Sequence, residues 1–157
     1  MSPHANVTAA AAPTTLFTSE LAHEIAVPSR GRARAGTIVT LIPVLFLVFD
    51  IVIKLLVIQP VVEAMAHLGY RVDLAPVIAI IELVCLALYL WPRTALPGAV
   101  LITGFLGGAV ATHLRIGDPL LTHTLFPVYV GGLLWAGLLL RRPPLWDAVR
   151  PAARATR

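Results

Sequence analysis

The sequence predicts an all-α fold: an integral membrane, antiparallel four-helix bundle with a short interfacial helix between its first and second spans. Three observations carry this. Hydrophobic types make up 58% of the 157 residues and charged types only 13%, whereas soluble domains average about 45–50% apolar and about 25% charged. Four apolar runs, at 37–59, 74–91, 95–114 and 119–140, approach or exceed the roughly 20 residues that a helix needs to cross a hydrocarbon core about 30 Å thick. The connections between them are short, which makes sequential helices run antiparallel. In lipid every backbone N–H and C=O must be satisfied within the protein, so the runs are helices. A soluble bundle with an oily core is the competing reading, and the spans lack the polar face it would need.

Each element has its own warrant. Residues 1–36, opening with "MSPHANVTAAAAPTT", hold few large apolar side chains and read as a disordered cytoplasmic tail. They are not a cleavable signal, because the apolar run starts late and continues to spanning length. Within the tail, "LFTSELAHEIAV" (16–27) has the pattern of a short surface helix with Ser19 as its cap. Pro43 in the first span and Pro127 in the fourth are candidate kinks. Between the first two spans, Val61, Val62, Met65 and Leu68 recur at helical spacing and predict a helix lying in the interface. That helix would hang Glu63, His67 and Tyr70 over the bundle mouth. The second span is the shortest and ends at Trp91, an interfacial residue. The glycines of "TGFLGGAV" (Gly104, Gly107, Gly108) and "YVGGLLWAG" (Gly131, Gly132, Gly137) read as points where helices approach closely. Neither run has the strand–turn–helix setting of a nucleotide loop.

The arginines set an orientation. Arg30, Arg32 and Arg34 precede the first span, Arg93 separates the second and third, and Arg141 and Arg142 close the fourth. Arg150, Arg154 and Arg157 extend a basic tail over 143–157. On the other side stand only Arg71 and Arg115, each near an acid, Asp73 or Asp118. By the positive-inside rule both termini are cytoplasmic, and the 60–73 and 115–119 connections face outward. The net charge of +4 is then topological, and gives no reason to invoke nucleic acid.

Two classes of chemistry drop out. Cys85 is the single cysteine, so the chain forms no internal disulfide and carries no CxxC pair; amid Val84 and Leu86 it reads as a small packing residue. Histidines and acids are scattered, without an HxxxH or ExxH pair, and no metal site is read from them.

The charges inside the spans are the candidate site. In "VLFLVFDIVIKLLVI" (44–58), Asp50 and Lys54 stand one helical turn apart, the acid N-terminal, which is the better order for an i,i+4 pair. Counting from span ends, Asp50 lies about 13 Å deep, Lys54 about 7 Å and Glu82 about 12 Å, all from the same side. Each charge costs about 2.5–3.5 kcal/mol to insert at the membrane centre. Two acids then share one ammonium, which leaves a net negative site for a shared proton or a cationic ligand. An internal structural ion-pair network is the equally weighted alternative. His113 ends the third span, so Asp50, Lys54, Glu82 and His113 form a candidate buried polar cluster, with His67, Tyr70 and His123 as a candidate outer rim. No residue is assigned a catalytic role.

The order of these parts also resembles the DoxX-like family of small four-helix membrane proteins, over about 38–142. The resemblance lies in the first span with its late Lys54, then "EAMAHLGY", "IIELVCLALYLWPRT", "GAVATHLRIGDP", and the fourth span with its basic tail. It implies association with a quinone-linked membrane oxidoreductase system, as a quinone-binding, accessory or anchor subunit with a membrane or soluble oxidoreductase partner. In that case Glu82 or His113 would exchange protons with a quinone head group, and Lys54 would stabilise a reduced anion. Whether the chain is itself an enzyme stays open. A non-enzymatic scaffold or assembly factor is the competing class, and a small-solute or proton transporter ranks last.

Overall fold

The computed structural model describes residues 29–142. The readings of a tail over 1–28, of a surface helix at 16–27 and of a basic tail at 143–157 lie outside the described residues. The first helix, α1 (Arg30–Leu56), starts ahead of residue 37, so the polar 30–36 stretch is helical rather than tail. The cause is local. The Ser29 hydroxyl accepts a hydrogen bond from the Arg32 backbone N–H at 3.4 Å and so satisfies one of the orphan donors of the first turn.

The extra turns also have a partner. A Cβ on Gly36 would lie 2.8 Å from Arg141 Cγ, and one on Gly137 would lie 2.1 Å from Thr40 Oγ1. Small residues thus let the start of α1 and the end of the last helix touch almost backbone to backbone. Pro43 is buried within α1. The helix stops at Val57, whose φ of 48° is the left-handed conformation that a β-branched residue rarely takes.

The short helix α2 (Gln59–His67) follows, then a 3₁₀ turn at Val72–Leu74. The chain continues through α3 (Ala75–Leu90), α4 (Ala95–Ile116), a π-helical turn at Leu120–Thr124 and α5 (Phe126–Arg141). Val61 and Met65, two positions of the predicted stripe, are buried with Ala75 and anchor α2 to the start of α3. Pro127 is the second residue of α5, where a missing N–H costs nothing. It therefore does not kink a continuous span. Instead the fourth apolar run is divided into the π turn and α5, with Leu125 N–H bonded to Leu120 C=O at 2.9 Å.

The long helices form a square. α1 packs on α5 and α3, and α4 packs on α3 and α5, as short antiparallel connections require. Leu47, Leu86, Tyr89, Ile102, Leu134 and Leu138 fill the core. The outward faces are apolar as well: Ile42, Leu45 and Phe49 are 61%, 60% and 61% exposed. Apolar surface this continuous is stable against lipid and not against water, which removes the soluble-bundle reading. Four helical segments are long and apolar enough to cross a membrane: Arg30–Leu56, Val72–Leu90, Ala95–Ile116 and Leu120–Arg141.

The glycines correct an expectation. Gly137 does sit at a close helix approach, but a Cβ on Gly104, Gly107, Gly108 or Gly132 would meet nothing within 4 Å. The closest approach to another helix's backbone is at a position the sequence gave no reason to single out. At Gly98 a Cβ would lie 2.2 Å from Tyr89 N, because the first turn of α4 crosses the last turn of α3. Thr94 ties that corner by donating its hydroxyl to Leu88 C=O at 2.8 Å.

Candidate functional site

Lys54, in the last turn of α1, reaches across to α3. Its Nζ donates to Asp50 on its own helix and to Glu82 Oε2 at 3.0 Å. The depth count had placed the two acids at nearly one level, and they meet at a single ammonium. Glu82 is completely buried, while the Lys54 and Asp50 side chains are 21% and 25% exposed. The Phe105 ring centroid lies 5.8 Å from the ammonium, within cation–π range. The ion group therefore has an apolar floor and a polar, partly exposed rim. Among the described residues, Glu82 Oε1 is buried without a hydrogen-bond partner. A buried acceptor left unmatched costs about 1–3 kcal/mol.

Glu82 belongs to the lining of a cavity of about 620 Å³, within the roughly 300–1,000 Å³ of small-molecule sites. Its lining draws on every helix: Phe46, Leu47, Asp50 and Lys54 from α1, Ala64 and Met65 from α2, Glu82 from α3, Gly104, Phe105 and Gly108 from α4, and Phe126 and Val130 from α5. The space exists because α4 presents Gly104, Gly108 and Ala109 where larger residues would fill it. Phe46 and Phe126 close one side edge to face, with centroids 5.0 Å apart at 73°. Tyr70, Leu74 and Phe126 line the cavity and are also solvent-accessible at 38%, 38% and 40%, so the cavity reaches the surface at the α2 end.

The mouth is held by a second polar group. Asp118 Oδ2 lies 2.6 Å from His113 Nδ1 on α4, and Oδ1 lies 2.9 Å from His67 Nε2 on α2. The block "THLRIGDP" folds this way because Gly117 takes φ 76°, a conformation that glycine adopts freely. The chain then turns back, and Asp118 N–H bonds His113 C=O at 3.1 Å. The Asp118 side chain is only 9% exposed, and hydrogen bonds from His113 and then His67 hold its carboxyl below the usual carboxylate value. A carboxylate accepting at Nδ1 leaves His113 Nε2 as the basic nitrogen. Tyr70 bonds Thr112 at 3.0 Å and Arg115 donates to Leu68 C=O, adding two more ties from α4 to the segment around α2.

Of the residues singled out from sequence, Asp50, Lys54, Glu82, His113 and Tyr70 line one cavity. His67 does not line it and joins through Asp118. His123 is also outside. Its Nδ1 pairs with Thr122 at 2.9 Å, and its ring centroid is 6.3 Å from that of His113. Asp118 reads in sequence only as an acid near Arg115, and the structure makes it the bridge between α2 and α4. Its signal is the spacing His-x₄-Asp across a glycine, which brings a carboxylate back onto the imidazole. Cys85 lies buried in the core among Leu86 and Tyr89.

Together the bundle and its apolar exterior define a small multi-pass helical membrane protein. Residues 38–137 match the DoxX-like family, and the chain belongs to that family. Neither the curated proteins nor the solved structures give a match.

Proposed function

We propose that the chain binds the head group of a membrane quinone at Glu82 and Lys54 and serves as a quinone-binding or accessory subunit of a membrane oxidoreductase. The observation that carries this is the fully buried Glu82 carboxylate, one oxygen held by Lys54 and the other unpartnered, on the wall of a surface-reaching cavity. Native structures leave few buried polar atoms unmatched, so Glu82 Oε1 calls for a partner beyond the packing of α1 on α3. The donor set fits a quinone head group: an ammonium, a carboxylate and aromatic faces within an apolar enclosure. A bound quinone would supply two-electron carrier chemistry, while these residues bind, orient and exchange protons with it.

Lys54 lines the cavity and keeps an N–H beyond the two taken by Asp50 and Glu82 for a ligand oxygen. His113, held in one tautomer by Asp118, lies on the same wall nearer the mouth and provides a basic nitrogen for passing a proton outward. We place both termini on the cytoplasmic side of an inner membrane, from the arginines at the other end of the bundle. The cavity mouth then faces outward, where a partner oxidoreductase would dock. Photolabelling with an azidoquinone in native membranes tests the assignment. Label is expected on peptides spanning 46–54 and 104–113 and is expected to be lost in Gly108→Leu; label spread evenly over lipid-facing segments would contradict it.

A further inference from the structure

We infer that Phe46 and Phe126 form a subsite for a hydrocarbon chain, so that the cavity takes a chain-bearing quinone from the bilayer through the seam between α1 and α5; the inference rests on the quinone-site reading above and specifies its ligand. The cavity lining is sorted along the bundle axis. Lys54 stands in the last turn of α1, and Thr112 and His113 stand near the end of α4, all towards the mouth. Phe46, Leu47 and Leu106 line the same cavity further from it. Phe46 precedes Lys54 by eight residues, which places it about 12 Å deeper at 1.5 Å per residue. Polar groups towards the interface and apolar ones towards the bilayer centre match an amphiphile lying as lipids lie. Its head meets Lys54 and its chain runs down towards Phe46.

The two rings also reach the outside. Leu47, Leu106 and Val130 line the cavity and are only 2%, 8% and 5% exposed, so surface turned to the cavity adds little exposure. Phe46 at 39% and Phe126 at 40% therefore have a second face, on the lipid side. Their places on the helices agree. On α1, Leu45 faces lipid and Leu47 the core, with Phe46 on the margin between them. On α5, Phe126 stands one turn before exposed Tyr129 and buried Val130, and residues three and four apart share a face. The rings meet edge to face with centroids 5.0 Å apart, so at this level one aromatic contact separates the cavity from the bilayer. Deeper in the same seam, Gly36 and Gly137 bring α1 and α5 almost backbone to backbone, which leaves no room for a chain. Rotamer changes of exposed side chains take picoseconds to nanoseconds, so the ring contact parts without moving either helix. Entry by this route also spares an apolar chain the polar mouth, where Asp118 joins His113 to His67.

Two photoprobes test this on the full native chain in nanodiscs: a benzoquinone with an azide on its ring, and one with the azide at the end of a decyl chain. Each is used with and without excess duroquinone, which has no chain and competes for the head-group site. Excess duroquinone is expected to remove most of the ring-azide label from 46–54 and 104–113. It is expected to remove most of the chain-end label from 42–46 and 126–129, and to leave chain-end label on the lipid face of α3, at Val77, Ile80, Ile81 and Val84, unchanged. Displaceable chain-end label on 61–70 at the mouth, or confined to 104–109 inside the cavity, would overturn the inference and leave the quinone site standing. So would chain-end label on 42–46 and 126–129 that duroquinone displaces no more than label on α3. Ring-azide label that duroquinone does not displace would remove the site itself. Every readout is on the native chain, so no variant has to fold.

Discussion

Lys54 Nζ stands 3.0 Å from Glu82 Oε2, linking the mouth half of α1 to the centre of α3 through a carboxylate that has no exposure at all. This bond joins the fold to the proposed chemistry. It holds two neighbouring helices at one level, and it fixes Glu82 at the lining of the cavity.

Removing the ammonium should therefore cost more than neutralising the acid. Lys54→Met strands Asp50 and Glu82 together, and loss of one partner of a buried pair costs about 3–5 kcal/mol. Glu82→Gln keeps a carbonyl that still accepts from Lys54 and should cost clearly less. Equilibrium unfolding in mixed micelles, followed by far-UV circular dichroism, ranks the two variants. The reverse order would mean that Lys54 is not the hub of the group.

The glycines separate into two energetic classes. Gly98→Ala drives a methyl into the Tyr89 backbone at 2.2 Å, and overpacking of this kind costs about 1–3 kcal/mol or more. Gly108→Ala meets nothing within 4 Å and should gain up to about 1 kcal/mol from helix propensity. The same unfolding assay reads both. Similar losses at the two positions would contradict the packing described.

Asp118 carries the pH dependence of the mouth. Its carboxyl is held below the ordinary value of 3.8 by hydrogen bonds from His113 and His67. A depressed acid contributes stability that is fully present above its unfolded value and is lost as pH falls through its folded value. The stability difference between the native chain and Asp118→Asn should thus persist from neutral pH down to about 4 and shrink below that. Amide exchange in α2 should rise in Asp118→Asn at neutral pH, since the tie to His67 weakens. A difference that vanishes already at neutral pH would contradict the bridge.

Much of this was legible before any coordinates. The spans follow from hydropathy and length, and α2 follows from the Val61–Met65 stripe, because each is a local property of the chain. The meeting of Asp50, Lys54 and Glu82 followed from counting rise per residue along two antiparallel helices. What escaped depends on packing between distant segments. The cavity is space left by Gly104 and Gly108 against Phe46 and Val130, and no single helix encodes it. The same glycines read as contact points because a small residue permits either a close neighbour or an open gap. Asp118 reads in sequence only as an acid in a connection, since it is the left-handed Gly117 that brings it back to His113 and within reach of His67. The start of α1 at Arg30 was missed because Ser29 caps a polar turn that hydropathy does not register.

The central claim is that Glu82 serves a ligand rather than only the packing of α1 on α3. The most direct measurement is thermal unfolding of the purified chain in nanodiscs, with and without duroquinone, for the native protein and for Glu82→Gln. At about 100 times the dissociation constant, ligand binding adds about 2.7 kcal/mol, so the native protein should melt several degrees higher with the quinone, and the shift should largely disappear in the variant. No ligand effect on the native chain, together with a large loss of stability in Glu82→Gln alone, would contradict the account and make Glu82 a strut of a membrane scaffold.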